Sequence, residues 1–367
     1  MGKKRFFDDR LKYLSFIQNT GEKKAISEKL YPYISKLPKN RSYLRILDAG
    51  TGDGTINSNI VKGFHRYHPY SSLLMTGKEV SFEDLKNTIE KMPDRFVEHP
   101  NLMVTMTNVK FSEIHTVENS KNINSKKIKS FELILKSNNS FDFYKQITGT
   151  LIGNFIKKNW GIEINKTGKT SYANPCIIKI YREDHKKYLM PFIDNNYDNN
   201  KYDLIVASQA YRAASSVKMK VNNVIKPLMS LLNKNGSLII THSTGGKSIQ
   251  KILKSAFGEL DAFPNNANDI INYLKENTSE YKSKFIFAKP IIYNFKFRKS
   301  PDHKVTELFG NAVDSKWANI LYVGQIPEKH IQKIEKNKKL FDNVKKLIHQ
   351  TKEIYFENEI FKIKRIN

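Results

Sequence analysis

The chain has 367 residues, 39% hydrophobic and 11% aromatic, a globular composition sufficient for one enlarged domain or two smaller ones. Its single cysteine, Cys176, excludes an internal disulfide and a cysteine-based zinc site, and no apolar run approaches the roughly 20 residues that cross a bilayer. The formal charge of +26 points to nucleic acid, but most of it is lysine amid abundant asparagine and isoleucine, the profile of an AT-rich genome; the guanidinium groups suited to bidentate phosphate contacts are scarce.

The stretch Met1 to Phe7 lacks the apolar core of a signal peptide, and Phe6 departs from a myristoylation pattern, so a cytoplasmic location is expected. Residues 8–37 read as two helices. Leu11, Leu14, Phe16 and Ile17, then Ile26, Leu30, Tyr33 and Ile34, recur at near-helical spacing, and Pro38 stops the second. Their expected role is to cap an edge of the sheet, with a position over a bound ligand as the alternative.

Leu44 to Leu47 reads as a buried strand. It runs into Asp48-Ala49-Gly50-Thr51-Gly52-Asp53-Gly54, and Thr55 to Lys62 then starts a helix. Glycines suit a tight strand-to-helix turn that needs positive φ and close approach of a ligand, and the helix N-terminus behind them offers free N–H groups to an anion. A second strand, Ser72 to Ser81, closes on Glu79, where an acid is placed to accept hydrogen bonds from ribose hydroxyls. A third, Leu102 to Thr107, ends at Asn108 and Val109.

Far more chain than one crossover needs lies between Asn108 and Lys201, so residues 109–200 are expected to form an inserted α+β subdomain. Phe131 to Leu135 and Cys176 to Tyr181 read as strands, Phe141 to Trp160 as an amphipathic helix, and residues 117–127 as a polar loop. The asparagine-rich run Asn195 to Asn200 marks the return to the core. Tyr202 to Ser208 reads as a fourth strand, Val221 to Leu232 as a helix, and Asn235 to His242 as a fifth strand. Phe285 to Phe297 and Ala318 to Ile326 are expected to be the last two strands. Glu328 to Gln350 then reads as a charged helix, and Ile354 to Ile366 as a short strand or hairpin.

The glycine turn, the acid one strand later and the ordered strands together resemble the class I S-adenosylmethionine-dependent methyltransferases. Asp48, Gly50, Gly52 and Gly54 match that family's first motif, Glu79 its second and Asp203 its fourth. The glycine spacing differs from the G-x-G-x-x-G of nicotinamide-binding folds, which weakens a dehydrogenase reading. The resemblance implies a Rossmann-like, doubly wound sheet of seven strands with the insertion between strands three and four. It divides the chain into an N-terminal helical segment (1–44), a core (45–108 and 201–326), an inserted lid (109–200) and a C-terminal helix with a short strand (327–367). It implies S-adenosylmethionine as cofactor, held by Asp48, Gly50, Thr51, Gly52, Gly54, Glu79, Asn108, Val109 and Ser208. Asp48 or Asp53 would face the ammonium of its methionine part, and Asn108 and Val109 would flank the adenine.

Methyl transfer from a sulfonium is an in-line displacement that rests mainly on positioning, and a base is needed only for a protonated acceptor. The C-terminal edge of strands four and five is where ligands react in such sheets. Tyr211, Arg212 and His242 stand there and are the candidate catalytic residues, Tyr211 lining the acceptor pocket, Arg212 binding an acceptor anion and His242 serving as base. The segment after strand four lacks the Asn/Asp-Pro-Pro-aromatic motif of many amino-group methylases. The expected reaction is methylation of a small or medium-sized acceptor enclosed by the insertion. The alternatives are an RNA or protein methyltransferase using the basic surface, a non-catalytic cofactor-binding partner and an aminopropyl transferase. No metal is expected: His65 and His68 share a helical face without nearby acids or cysteines. Cys176 and the alternating aromatics Tyr281, Phe285, Phe287, Tyr293, Phe295 and Phe297 read as core.

Overall fold

The computed structural model describes residues 10–117, 120–164, 170–193, 201–277, 283–297, 312–351 and 353–367. The run Asn195 to Asn200, Tyr281 and the first nine residues lie outside them. Two N-terminal helices, α1 (Arg10–Asn19) and α2 (Glu22–Ser35), lead into the first of ten strands that form one sheet. In chain order the strands are β1 (Tyr43–Asp48), β2 (Ser72–Lys78), β3 (Leu102–Thr107), β4 (Lys129–Leu135), β5 (Cys176–Arg182), β6 (Tyr202–Ser208), β7 (Leu232–Ser243), β8 (Phe285–Phe287), β9 (Ile291–Lys296) and β10 (Tyr355–Arg365). The sheet order is β8-β10-β7-β6-β1-β2-β3-β5-β4, with β9 also paired to β10.

The centre, β3-β2-β1-β6-β7, is parallel throughout, and β10 runs antiparallel against β7. Central strands buried on both faces read as continuous apolar runs, as Leu44, Ile46 and Leu47, Leu73 to Met75, and Leu204 to Ala207 do. Helices cover both faces. On one side α2, α3 (Thr55–Tyr67), α4 (Phe82–Glu90) and the helical stretch 140–159 pack Ile34, Phe64, Ile89 and Phe143 against the sheet. On the other, the helical stretch 217–230 and α5 (Ala267–Glu276) contribute Val221, Ile225, Ile270 and Leu274. The fold is thus a doubly wound, Rossmann-like α/β sheet. At the N-terminal end of the central strands, buried Asp203 accepts from Arg41 Nη1 (2.8 Å) and from the Arg45 N–H (2.9 Å), tying β6 to β1. That places Asp203 away from the edge at which ligands bind.

Three expectations require correction. Ala318 to Ile326 is not a strand: it belongs largely to helix α6 (Ala312–Gly324). Trp317, Ile320, Leu321 and Gly324 also satisfy the i, i+3, i+4, i+7 pattern of one helical face, and a short apolar run does not distinguish the two periods. The chain after 327 instead supplies two helices, Glu328–Lys336 and Lys338–Gln350, and the eleven-residue strand β10, which fills the slot between β7 and β8. Among the described residues the sheet accordingly has ten strands, where seven were expected.

The stretch 109–200 does not stand apart as a lid. Its strands β5 and β4 extend the central sheet beyond β3, with β5 antiparallel to β3 and β4 parallel to β5. Within the polar segment 117–127, Asn122–Ile123 pairs with Lys126–Lys127 in a small hairpin that buries Ile123.

The turn between β1 and α3 is a tightly constrained piece of backbone. Gly52 (φ 53°) and Gly54 (φ 79°) lie in the left-handed region that costs other residues about 1–2 kcal/mol. A Cβ on Gly54 would also stand 2.5 Å from Thr88 Cα of α4. Gly54→Ala should therefore destabilise the protein by at least about 2 kcal/mol in denaturant unfolding, strain and clash adding. An unchanged midpoint would contradict this account of the turn.

Candidate functional site

A cavity of about 330 Å³ opens above the C-terminal ends of β1, β2, β6 and β7, beside β1 where the chain order in the sheet reverses. Crevices outside the carboxyl ends of strands at such a switch point are where open α/β sheets bind ligands. Its floor and walls include Gly50 and Gly52 from the glycine turn, Glu79 after β2, and Ser208, Gln209 and Ser243 at the ends of β6 and β7.

Glu79 shapes the floor. Its Oε1 accepts from the N–H groups of Val80 (2.7 Å) and Ser81 (2.9 Å), and its Oε2 accepts from the Gly52 N–H (3.0 Å). One carboxylate thus holds the end of β2 and the glycine turn of β1 in register. Beneath Ala49 and Gly50, Asp48 is fully buried, with neither carboxylate oxygen in hydrogen-bond geometry with a partner. Burial raises its pKa to about 7; Lys23, the Gly50 N–H and the Asn57 amide, which lie beside it, act in the opposite direction.

The roof comes from the N-terminal helices and α6. Tyr13 and Phe16 of α1, Glu22 and Lys23 at the start of α2, and Tyr322 of α6 line the cavity. Phe16 stacks on Tyr322 with centroids 5.1 Å apart, and the Tyr13 hydroxyl accepts from the Asp53 N–H (3.2 Å). A Cβ at Gly52 would lie 2.2 Å from that hydroxyl, so the roof presses directly on the turn. The N-terminal helices therefore lie over the cavity, the role set second to edge capping. Among the described residues of 109–200, only Phe111 reaches it.

Charges are concentrated at the roof. Glu22 is 5% exposed; its Oε1 accepts from Gln209 Nε2 (3.3 Å), and Lys23 Nζ stands 3.7 Å from Oε2. Burial pushes the Glu22 carboxyl above the usual glutamate value, against the pull of Lys23 and Gln209. Burial disfavours the Lys23 cation, but Tyr13, Glu22 and Asp53 around it outweigh that and raise its pKa. Lys78, over the Phe111 ring at 5.1 Å, is lowered by burial. Gln209 adopts φ 51°, a conformation uncommon outside glycine, and its Oε1 accepts from the Ser243 N–H (3.3 Å).

Of the residues singled out from the sequence, Gly50, Gly52, Glu79 and Ser208 wall the cavity. Asp48, Thr51 and Gly54 support the turn from behind: Thr51 is buried, and its N–H donates to the Lys78 carbonyl (3.2 Å). Asn108 and Val109 do not reach the cavity. The Asn108 amide donates to the Asn174 carbonyl and accepts from the Cys176 N–H (both 2.8 Å), fastening β5 to β3, and Val109 is a core residue.

The proposed catalytic trio is not at the cavity either. The Tyr211 hydroxyl is 2.6 Å from His242 Nδ1, and His242 Nε2 is 3.2 Å from Glu359 Oε2 of β10, which also accepts from the Ala267 N–H (2.6 Å). The side chains of Tyr211, His242 and Glu359 are buried, with Lys220 Nζ 5.4 Å from the Tyr211 ring centroid. Alternation along β7 explains this: Ser243 faces the cavity, so its neighbour His242 faces the opposite layer. Arg212 is exposed and outside the cavity wall. His65 Nδ1 lies 3.2 Å from His99 Nδ1, His68 bonds the Ile34 carbonyl, and no metal-binding group occurs among the described residues.

The wall residues that the sequence did not assign to the site include Tyr13, Glu22, Lys23, Gln209 and Tyr322. None carries a spacing signal, because they arrive from four places in the chain: α1, the start of α2, the end of β6 and α6. Only the short Ser208-Gln209 step past a strand end offered a clue.

Two stability measurements check this placement. Glu359→Ala should cost about 3 kcal/mol or more in denaturant unfolding, because it leaves His242 and the Ala267 N–H buried without their acceptor; a loss under about 0.5 kcal/mol would contradict the buried network. Because Asp48 holds its proton in the folded state up to about pH 7, its contribution is fully present below pH 3.8 and is lost as pH rises through 7. The stability difference between wild type and Asp48→Asn should fall by up to about 1.4 kcal/mol per pH unit across that window. A flat difference would mean the carboxyl is not desolvated.

No family model and no curated protein matches the chain. Among solved structures it is similar to a Listeria monocytogenes protein assigned to the class I S-adenosylmethionine-dependent methyltransferases, at 8% identity and a TM-score of 0.34, over 94% of this chain and 60% of that one. It is also similar to the [4+2]-cyclase SpnF, at 10% identity and a TM-score of 0.38, over 92% of this chain and 80% of that one. A third is the plantazolicin methyltransferase BpumL in complex with SAH, at 11% identity and a TM-score of 0.36, over 97% and 92%. None of these three alignments reaches a TM-score of 0.5.

Proposed function

We propose that the chain is a class I S-adenosylmethionine-dependent methyltransferase acting on a small or medium-sized acceptor. The observation that carries the reading is a cavity at the sheet's switch point whose floor is the glycine turn latched to Glu79. The donor set suits the cofactor. Gly50 puts no side chain between backbone and cavity, and Glu79 stands where ribose hydroxyls would be accepted. Behind the turn, buried Asp48 and the wall residue Lys23 set the charge beside which an amino-acid end would lie.

When bound, the cofactor supplies an electrophilic methyl group on a sulfonium. The chain's own work is positional. Tyr13, Phe16 and Tyr322 exclude water from above, and the latched turn fixes the ribose end; positioning of this kind can supply about 7–11 kcal/mol of a barrier. The cavity wall carries three carboxylates, Glu22, Glu79 and Asp84, against two ammonium groups, Lys23 and Lys78. That balance favours a small acceptor over a polyanion, even with a net charge of +26. The elements that would enclose the acceptor are α1, the start of α2 and α6, in place of residues 109–200.

Calorimetry with S-adenosylhomocysteine tests the reading. Wild type should bind it, and Glu79→Gln, which keeps the side-chain shape, should bind at least about tenfold more weakly because a charge-assisted hydrogen bond is lost. Equal affinity would remove Glu79 from the site; no binding by wild type at millimolar ligand would end the proposal.

A further inference from the structure

The floor over β1 and β2 accounts for one end of the cavity; the end over β6 and β7 holds a carboxylate that cofactor binding does not use. Glu22 is fixed there from two directions. The Gly21 N–H before it donates to the Lys296 carbonyl of β9 (3.0 Å), which anchors the start of α2 to the sheet. The amide of Gln209, past the end of β6, donates to Glu22 Oε1 at 3.3 Å. Gln209 is in turn held in a left-handed backbone conformation and bound through its Oε1 by the Ser243 N–H. Strain of this sort costs about 1–3 kcal/mol and persists where the surroundings impose it. Here it aims one amide at one buried carboxylate on the cavity wall.

Resting on the methyltransferase reading, we infer that Glu22 is the catalytic base of this chain, and hence that the acceptor is protic, an O–H or N–H group delivered to the edge formed by Ser208, Gln209 and Ser243. In the step, the acceptor lone pair forms a bond to the methyl carbon, the carbon–sulfur bond breaks and its electron pair stays on sulfur as a neutral thioether. The acceptor proton passes to a Glu22 oxygen. The positive charge lost by the sulfonium is matched by neutralisation of the carboxylate. The groups facing Glu22 are Lys23 on its own helix, Gln209, Asp53 of the glycine turn and Tyr293 of β9. Burial raises its proton affinity, as a base near neutrality requires, and the Lys23 ammonium keeps it ionisable.

A binding experiment separates this inference from the reading beneath it. Sinefungin carries a C–NH3+ group where the cofactor carries its methylated sulfonium, so its ammonium reports the charge at the reactive edge; S-adenosylhomocysteine lacks that group. Wild type should bind sinefungin about tenfold more tightly than S-adenosylhomocysteine at pH 8. Glu22→Gln should abolish that preference while its affinity for S-adenosylhomocysteine stays within about twofold. The wild-type preference should also grow as pH rises through a midpoint above 4.5, a readout that does not depend on the variant folding. Titration of Asp48 cancels in the ratio, because both ligands share the amino-acid end. A preference that survives Glu22→Gln, or a ratio that is flat with pH, overturns the assignment. Failure of both ligands to bind wild type would instead overturn the methyltransferase reading.

Discussion

The hold of Glu79 on the Gly52 N–H is the contact on which the site depends. A left-handed glycine turn is not self-supporting: the backbone accepts positive φ at Gly52 and Gly54, but nothing in those residues fixes which of many loop shapes is adopted. One carboxylate accepting three backbone N–H groups removes that freedom and joins the ends of the first two central strands. The Tyr13 hydroxyl, accepting from the Asp53 N–H, fixes the same turn from above. Floor and roof therefore meet at one bend of main chain, and the cavity is what they leave between them.

The charges follow from this closure. Because α1, the start of α2 and α6 cover the turn, Asp48, Glu22 and Lys23 are buried near one another. Desolvation then raises both acids, while Lys23 stays charged among its anionic neighbours. Such a cluster costs folding free energy unless a ligand completes it. Its position at the sheet's switch point makes ligand binding its physical rationale.

The central sheet and one half of the site were legible in the sequence because they are local. The run from Ile46 to Thr55 carries strand, turn and helix start within ten residues, and Glu79 is a strand end. What the sequence concealed was long-range. Tyr13 reaches the turn, and Glu22 the cavity, from helices whose apolar spacing speaks only of packing, and Tyr322 sits in a segment whose apolar run fits either period. The residue at a strand end is defined by which face it takes. One position separates Ser243, on the cavity, from His242, locked to Tyr211 and Glu359 in the opposite layer. The stretch 109–200 misled for a similar reason: its length suggested a separate body, whereas β5 and β4 satisfy their backbone groups on the open edge of β3.

The central claim, that the latched glycine turn seats a sulfonium nucleoside, is tested most directly by thermal unfolding of the intact protein in rising concentrations of S-adenosylhomocysteine. The account predicts a midpoint that climbs with the logarithm of ligand concentration once the dissociation constant is passed, gaining about 1.4 kcal/mol of stability for each further tenfold. A midpoint that stays constant up to millimolar ligand would contradict it.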